Sequence, residues 1–294
     1  MPDERKKFML ITLKNETLEI SADSYGAELH SLKYGGCEYL WQCGDAWKRY
    51  APVLFPFVCS PAGKKYTAGG KEYIMPSNHG FARDSRFEFL GADETSVSFV
   101  LRSSAETRKV YPYDFEFVVS YRLSGNKVEA EYKTVNTGKE PMYFYTGAHP
   151  AFNCPLESGL SFDDYYVEFD KPEKIVQSVP GGERTILDNG TEIRLSRELF
   201  DHDVFMKDSP ASGSVTLKTE KSERFVTVEY QSRTGCIAVW SPAGDNSAGF
   251  VCLEPWSSVP VYADDEYNEI EKKPHAVKLE TGGEHLFRYN IVLG

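Results

Sequence analysis

Residues 114–134 read Asp-Phe-Glu-Phe-Val-Val-Ser-Tyr-Arg-Leu-Ser-Gly-Asn-Lys-Val-Glu-Ala-Glu-Tyr-Lys-Thr, and this stretch decides the fold class. Phe115, Phe117, Val119 and Tyr121 alternate with Asp114, Glu116, Val118 and Ser120. Beyond Ser124-Gly125-Asn126, Val128, Ala130, Tyr132 and Thr134 alternate with Glu129, Glu131 and Lys133. Successive side chains of a strand point to opposite faces, so each run carries one apolar and one wet face, and the Ser-Gly-Asn step joins them as a β-hairpin.

The same period of two recurs outward in both directions, at 8–13, 17–21, 28–33, 38–41, 71–75, 87–90, 96–102, 142–145, 165–170, 215–219, 225–230, 236–240, 250–253 and 285–293. Gly, Asn, Asp and Pro punctuate the gaps, as at Gly35-Gly36, Gly69-Gly70, Gly181-Gly182, Asp188-Asn189-Gly190 and Gly282-Gly283. Only 196–201 and the region 257–264 read as a helical turn or two. Without strand–helix alternation there is nothing to build a parallel sheet, so the expected fold is all-β, a large antiparallel β-sandwich. With no linker, low-complexity tract or internal repeat, residues 1–294 are expected to form a single domain.

The 294 residues include 33 Lys plus Arg and 44 Asp plus Glu, a formal charge of −11. No block of basic residues interrupts this acidic balance, so no nucleic acid or anionic membrane surface is expected as a partner. The apolar run after the charged start is far shorter than a signal-peptide core, and no segment approaches a membrane span, which gives a cytoplasmic expectation. Cys37, Cys43, Cys59, Cys154, Cys236 and Cys252 lie scattered, without the sequence spacing of a zinc site or a disulfide framework. The triplets at Asn15 and Asn189 are chance matches to a glycosylation signal.

Gly-x-Gly-x-x-Gly, P-loop, Gly-x-Ser-x-Gly and His-Glu-x-x-His patterns are all absent. Three short segments carry the chemistry instead: Ser77-Asn78-His79-Gly80-Phe81-Ala82-Arg83, Thr146-Gly147-Ala148-His149-Pro150-Ala151-Phe152-Asn153 and Cys252-Leu253-Glu254-Pro255-Trp256. A histidine beside Gly or Pro is commonly a loop residue. Glu254 is odder, because it ends the apolar run Phe250-Val251-Cys252-Leu253, and Pro255 is expected to stop the strand directly after it. A carboxylate there needs a partner or a raised pKa.

Taken in order, these segments resemble the aldose 1-epimerase (galactose mutarotase) family, in its branch carrying His-Gly-Phe-Ala-Arg. Gly26-Ala27-Glu28-Leu29, Glu38-Tyr39-Leu40-Trp41 and Ala51-Pro52-Val53-Leu54-Phe55-Pro56 extend the resemblance over nearly the whole chain. It implies a supersandwich and a cofactor-free interconversion of the α and β anomers of a free hexose. It also implies Glu254 as base at the anomeric hydroxyl, His149 as acid at the ring oxygen and His79 as a hydrogen-bonding neighbour. Two proton carriers suffice for ring opening, so no metal or redox group is required. An ionised Glu254 and a protonated His149 are expected on opposite sides of the C1–O5 edge rather than in direct contact.

The resemblance further implies an aspartate on sugar hydroxyls, for which Asp201 and Asp203 both stand available. Where many relatives have an arginine after Leu-Phe-Pro, this chain has Phe57-Val58-Cys59-Ser60, so either another cation substitutes, with Arg83 the first candidate and Lys64 and Arg49 behind it, or the sugar preference differs. Trp256 suits the apolar face of a pyranose, and Asn153 is a further candidate contact. A hexose 6-phosphate mutarotase, a non-catalytic sugar sensor and a glycoside hydrolase pairing Glu254 with an aspartate stay open as alternatives. The expected partner is a small sugar, and the expected assembly a monomer or homodimer.

Overall fold

The computed structural model describes residues 9–230, 235–244, 248–261 and 267–294. The hairpin forms as its alternation dictates. Phe115–Ser124 pairs with Lys127–Asn136 in an unbroken antiparallel register from Phe115↔Asn136 to Ser124↔Lys127. Gly125 turns the corner at a φ of 60°, which glycine adopts without strain. These two strands sit inside a nine-stranded sheet, ordered Gly182–Arg194, Tyr166–Val179, Ser214–Thr219, Ser222–Tyr230, Glu284–Leu293, Lys127–Asn136, Phe115–Ser124, Ser96–Arg102 and Glu88–Ala92.

A second sheet of six strands orders Phe205–Asp208, Cys236–Trp240, Phe250–Trp256, Gly147–Ala148 and Val53–Leu54, with Ala151–Asn153 also pairing to Phe250–Trp256. The two sheets meet through aromatic rings: Phe55, just beyond Val53–Leu54, stacks on Phe117 of the hairpin at 4.4 Å between centroids. One hydrophobic cluster runs from Leu13 to Leu293 through both sheets and through the four strands between Leu10 and Glu38. The all-β sandwich is therefore observed, with a single turn of α-helix at Thr107–Val110 among the described residues.

The expected turn at 196–201 is a 3₁₀ turn, Arg197–Phe200. The expected turn at 257–264 is not helical over 257–261, and its remaining residues, like Phe8, lie outside the described residues. Two expectations are corrected. Gly182–Arg194 is a strand where the sequence showed only punctuation; it lies at the sheet edge with most side chains wet, so no alternation betrays it. The strand read as 250–253 runs through Pro255 to Trp256. Leu253 and Ser257 donate their N–H groups to Pro150 and Thr146, so the donor that Pro255 lacks would have pointed at the neighbour lying between them, where that neighbour is already broken into two short strands.

Candidate active site

The broken neighbour decides where the chemistry sits. Gly147 pairs with Trp256 and Ala151 with Cys252, so the register sets His149 directly across from Glu254. Cross-strand neighbours on one face are within side-chain reach. His149 Nε2 and Glu254 Oε2 are 3.2 Å apart, with side chains only 8% and 1% exposed. The expectation that they would avoid direct contact is thereby corrected, because His149, in the gap between the two short strands, still falls opposite Glu254. On the next strand Ala238 pairs with Glu254, and both are buried.

His79 arrives from a different part of the chain. Its backbone N–H donates to Cys59 O at 2.8 Å, and Cys59 N–H donates to His79 Nδ1 at 3.0 Å. With Nδ1 accepting, the neutral ring carries its proton on Nε2. His79 takes a φ of 62° and Cys59 one of 58°, so left-handed backbone holds both partners of this exchange. Gly80 follows at a φ of 77°, and a Cβ there would lie 2.2 Å from Phe55 O, so only glycine lets the loop lie against that strand. The His79 and His149 rings stand edge to face, 5.5 Å between centroids.

A cavity of about 280 Å³ opens over these groups. Ligand pockets typically run ~300–1,000 Å³, so this one suits a single small ring. Arg83 enters it from the 3₁₀ turn Ala82–Asp84, its side chain 12% exposed and 3.9 Å from Asp84. Asp203 sits on the wall in left-handed backbone, φ 69°, and accepts a 2.6 Å hydrogen bond from Trp240 Nε1. Of the two aspartates the sequence left open, only Asp203 reaches the cavity; Asp201 ends the preceding 3₁₀ turn and faces solvent. Asn153 is not on the wall either, because its amide donates to Glu38 O at 3.0 Å. Arg49 is tied to Asp84 at 2.8 Å, and Lys64 is exposed elsewhere. Cys59 lines the wall in the segment where the arginine was missing.

Among the wall residues that sequence reading missed are two tryptophans. Trp47 stacks on His149 at 5.1 Å and 27°, and Trp240 meets the same ring edge-on at 5.6 Å. With Trp256, three of the chain's four tryptophans line one small cavity. That concentration was the available signal, but only the strand register reveals it. Gly147 matters here: a Cβ at this position would lie 2.5 Å from Trp256 Cδ1, so glycine admits the indole.

Burial sets the electrostatics. It pushes the Glu254 carboxyl well above the usual carboxylate range, with the Asp203 charge adding to the effect and Arg83 opposing it. It pushes His149 well below the usual imidazole range, assisted by His79 and Arg83. His79 falls to about 3, again through burial first and then the charges of Arg83 and Arg49. Arg83 Nε, His149 Nδ1, Glu254 Oε2 and Trp256 Nε1 are all buried without a hydrogen-bond partner. Native interiors leave few such atoms, and here four belong to residues that line one cavity, which marks it as a candidate for a polar ligand.

A family model described as "Aldose 1-epimerase" matches residues 9–291. The chain belongs to the aldose 1-epimerase family. Among curated relatives, the chromosomal LacX protein of Lactococcus lactis is 35% identical over 292 residues, covering 92% of this chain and 95% of that one. Among solved structures, a galactose mutarotase related enzyme from Lactobacillus acidophilus is 31% identical, with a TM-score of 0.90 and 97% of each chain covered. A galactose mutarotase-like protein from Lactobacillus casei is 28% identical, with a TM-score of 0.86, covering 97% of this chain and all (100%) of that one. The aldose 1-epimerase sandwich thus accounts for the nearly all-β architecture, and no described helix is long and apolar enough to cross a membrane.

Proposed function

We propose that this aldose 1-epimerase family member interconverts the α and β anomers of a free hexose, with Glu254 as base, His149 as acid and His79 donating a hydrogen bond from Nε2 to the oxygen on which charge develops. Glu254 removes the proton from the C1 hydroxyl while His149 protonates the ring oxygen; the open aldehyde turns about C1–C2, and the steps reverse on its other face. The observation that carries this reading is the buried 3.2 Å pair of His149 and Glu254 facing a cavity sized for one ring.

The proton inventory fits a pair in contact. Ionised Glu254 with protonated His149, and neutral Glu254 with neutral His149, hold the same number of protons and differ only in where one resides. Ring opening converts the first state to the second and closure restores it, so the cycle needs no net proton from solvent. In the empty site burial favours the neutral state; a bound sugar, whose hydroxyls solvate both groups, makes the charged state accessible. Asp203 and Arg83 hold ring hydroxyls in this reading, and the three indoles take the apolar ring face. Among the described residues Arg83 is the single Lys or Arg on the wall, against two carboxyl groups, which favours a neutral sugar over a phosphorylated one.

The test follows anomer exchange by NMR and polarimetry over a panel of free aldoses and their 6-phosphates. Glu254→Gln and His149→Asn are each expected to lower the rate on the accepted sugar by ~10²–10⁴. Both variants staying within threefold of the parent, or sugar binding with no exchange in the parent, would overturn the reading.

A further inference from the structure

Behind the acid–base pair lies a thiol that ring opening does not use. Cys252 shares the strand and the face of Glu254, two residues away, and pairs with Ala151 on one side and Trp240 on the other. It is fully buried with Ala151, Ala248 and Phe250, beneath Trp47 and Trp240. It does not line the sugar cavity. Yet one ligand atom each from His149, Cys252 and Glu254 lie within 4.8 Å of one another.

We propose that His149, Cys252 and Glu254 form a three-ligand site for one zinc-class divalent cation, which occupies the acid–base pair and blocks it.

Geometry supports two of the three bonds as the side chains stand. Imidazole nitrogen and carboxylate oxygen bind Zn²⁺ at ~2.0–2.1 Å, so two tetrahedral ligands lie ~3.3 Å apart. The observed Nε2–Oε2 separation is 3.2 Å. Glu254 Oε2 and His149 Nδ1 are buried without a hydrogen bond, so the metal replaces only the Nε2–Oε2 contact and no other hydrogen bond holds the ring nitrogen in place. The His149 ring is steadied by stacking on Trp47, with Nε2 already facing Glu254 Oε2. Cys252 Sγ completes the set through a side-chain adjustment on the order of 1 Å, given Zn–S bonds of ~2.3 Å.

The donor set selects the ion. Sulfur, imidazole nitrogen and one carboxylate suit Zn²⁺ and its neighbours, whereas Mg²⁺ and Ca²⁺ require oxygen throughout. A thiolate and a carboxylate around a dication also sum to zero charge, which a dry pocket tolerates. On binding, the thiol proton and any proton shared by the acid–base pair pass to solvent. The fourth position is left to water. Sequence spacing could not show this site, because its ligands converge across two strands rather than along one.

Metal binding rests on geometry alone, while blocking rests also on the proposed roles of Glu254 and His149, and the test separates the two. The full chain is titrated with Co²⁺, whose bond to a thiolate gives a near-ultraviolet charge-transfer band, and Zn²⁺ is then added as competitor. One Co²⁺ per chain with that band is expected. Cys252→Ala and Cys252→Ser are both expected to abolish the band and weaken binding more than tenfold, while Cys59→Ser retains it. In metal-free buffer the Cys252 variants keep parental anomer exchange, and they alone resist inhibition by Zn²⁺. No band, or unchanged binding in both Cys252 variants, overturns the site as adventitious. A band without inhibition of the parent overturns the blocking. A band in a parent that exchanges no sugar overturns the proposed function and the blocking that depends on it, and leaves the metal site standing.

Discussion

The molecule has a depression larger than its candidate active site, and the two are opposites in how their polar groups are satisfied. On the nine-stranded sheet a groove of about 710 Å³ is lined by Ser98, Ser120, Arg122, Glu131, Arg288 and Asn290, among others. Its charges are matched: Arg122 with Glu129, Arg288 with Glu131, Lys127 with Glu229, and Asn290 donates to that same glutamate. Ser98 and Ser120 share a 2.7 Å hydrogen bond. The cavity on the six-stranded sheet is less than half as large, yet four buried polar atoms of its lining residues lack partners. Volume alone would choose the groove. Unmet hydrogen bonding chooses the cavity, and it is the better physical criterion, since a ligand gains most where the protein has left polar groups unpaired.

The largest expected consequence of this difference is in the acid stability of the fold. His79 and His149 refuse protons in the native state, whereas the unfolded chain takes them up below its ordinary imidazole pKa of 6.5. The unfolded state then binds more protons, so stability rises with pH and is lost as pH falls from 6.5 toward about 3 for His79, by up to ~1.4 kcal/mol per pH unit for each such group. Glu254 has the opposite sign: above 4.5 its native carboxyl keeps a proton that the unfolded chain has released, so it opposes that slope. Urea unfolding between pH 4.5 and 6.5 should therefore show a flatter slope in His79→Gln and a steeper one in Glu254→Gln. Slopes that move together in the two variants would show that burial of the cavity residues does not set their protonation.

Next in size is Asp203. Its side chain is oriented by Trp240 on the cavity wall, and under the proposed function it holds a sugar hydroxyl, so Asp203→Asn should reduce kcat/KM for anomer exchange by ~10–100-fold, the worth of a hydrogen bond to a charged group. Trp240→Phe removes the orienting N–H while Asp203 stays, and should raise KM more than it lowers kcat. Asp201→Asn, two residues away but facing solvent, should change neither. Equal losses from Asp201→Asn and Asp203→Asn would erase the distinction drawn from the cavity wall.

Those two aspartates also show how far sequence carries. The hairpin was legible because one face of each strand is buried and the other wet, and Phe115–Ser124 keeps that alternation throughout. Glu254 was legible as a charge ending an apolar run. Which aspartate faces the cavity was not, because it depends on a 3₁₀ turn ending at Phe200 and on left-handed backbone at Asp203, a choice that Asp at either position permits. Trp47 and Trp240 were passed over because a lone tryptophan reads as core until a register places it. The contact between His149 and Glu254 lay beyond reach for the same reason: it is a property of two paired strands, and neither segment encodes its partner.

The smallest effect is expected in the groove, and it bears most directly on the criterion. Arg288 Nε lies 2.6 Å from Glu131, with side chains 45% and 38% exposed. Water competes at such a site and two long side chains must be held still, so a double-mutant cycle on Arg288→Gln and Glu131→Gln should give a coupling below ~1 kcal/mol. At ~1 M salt, where the Debye length is ~3 Å, the coupling should shrink further. Anomer exchange should stay at the parental rate in all three variants, because every group removed was satisfied within the sheet. A loss of exchange in these variants comparable to that of Asp203→Asn would mean that paired polar surface can also be working surface, and unmet hydrogen bonding would no longer separate the two regions.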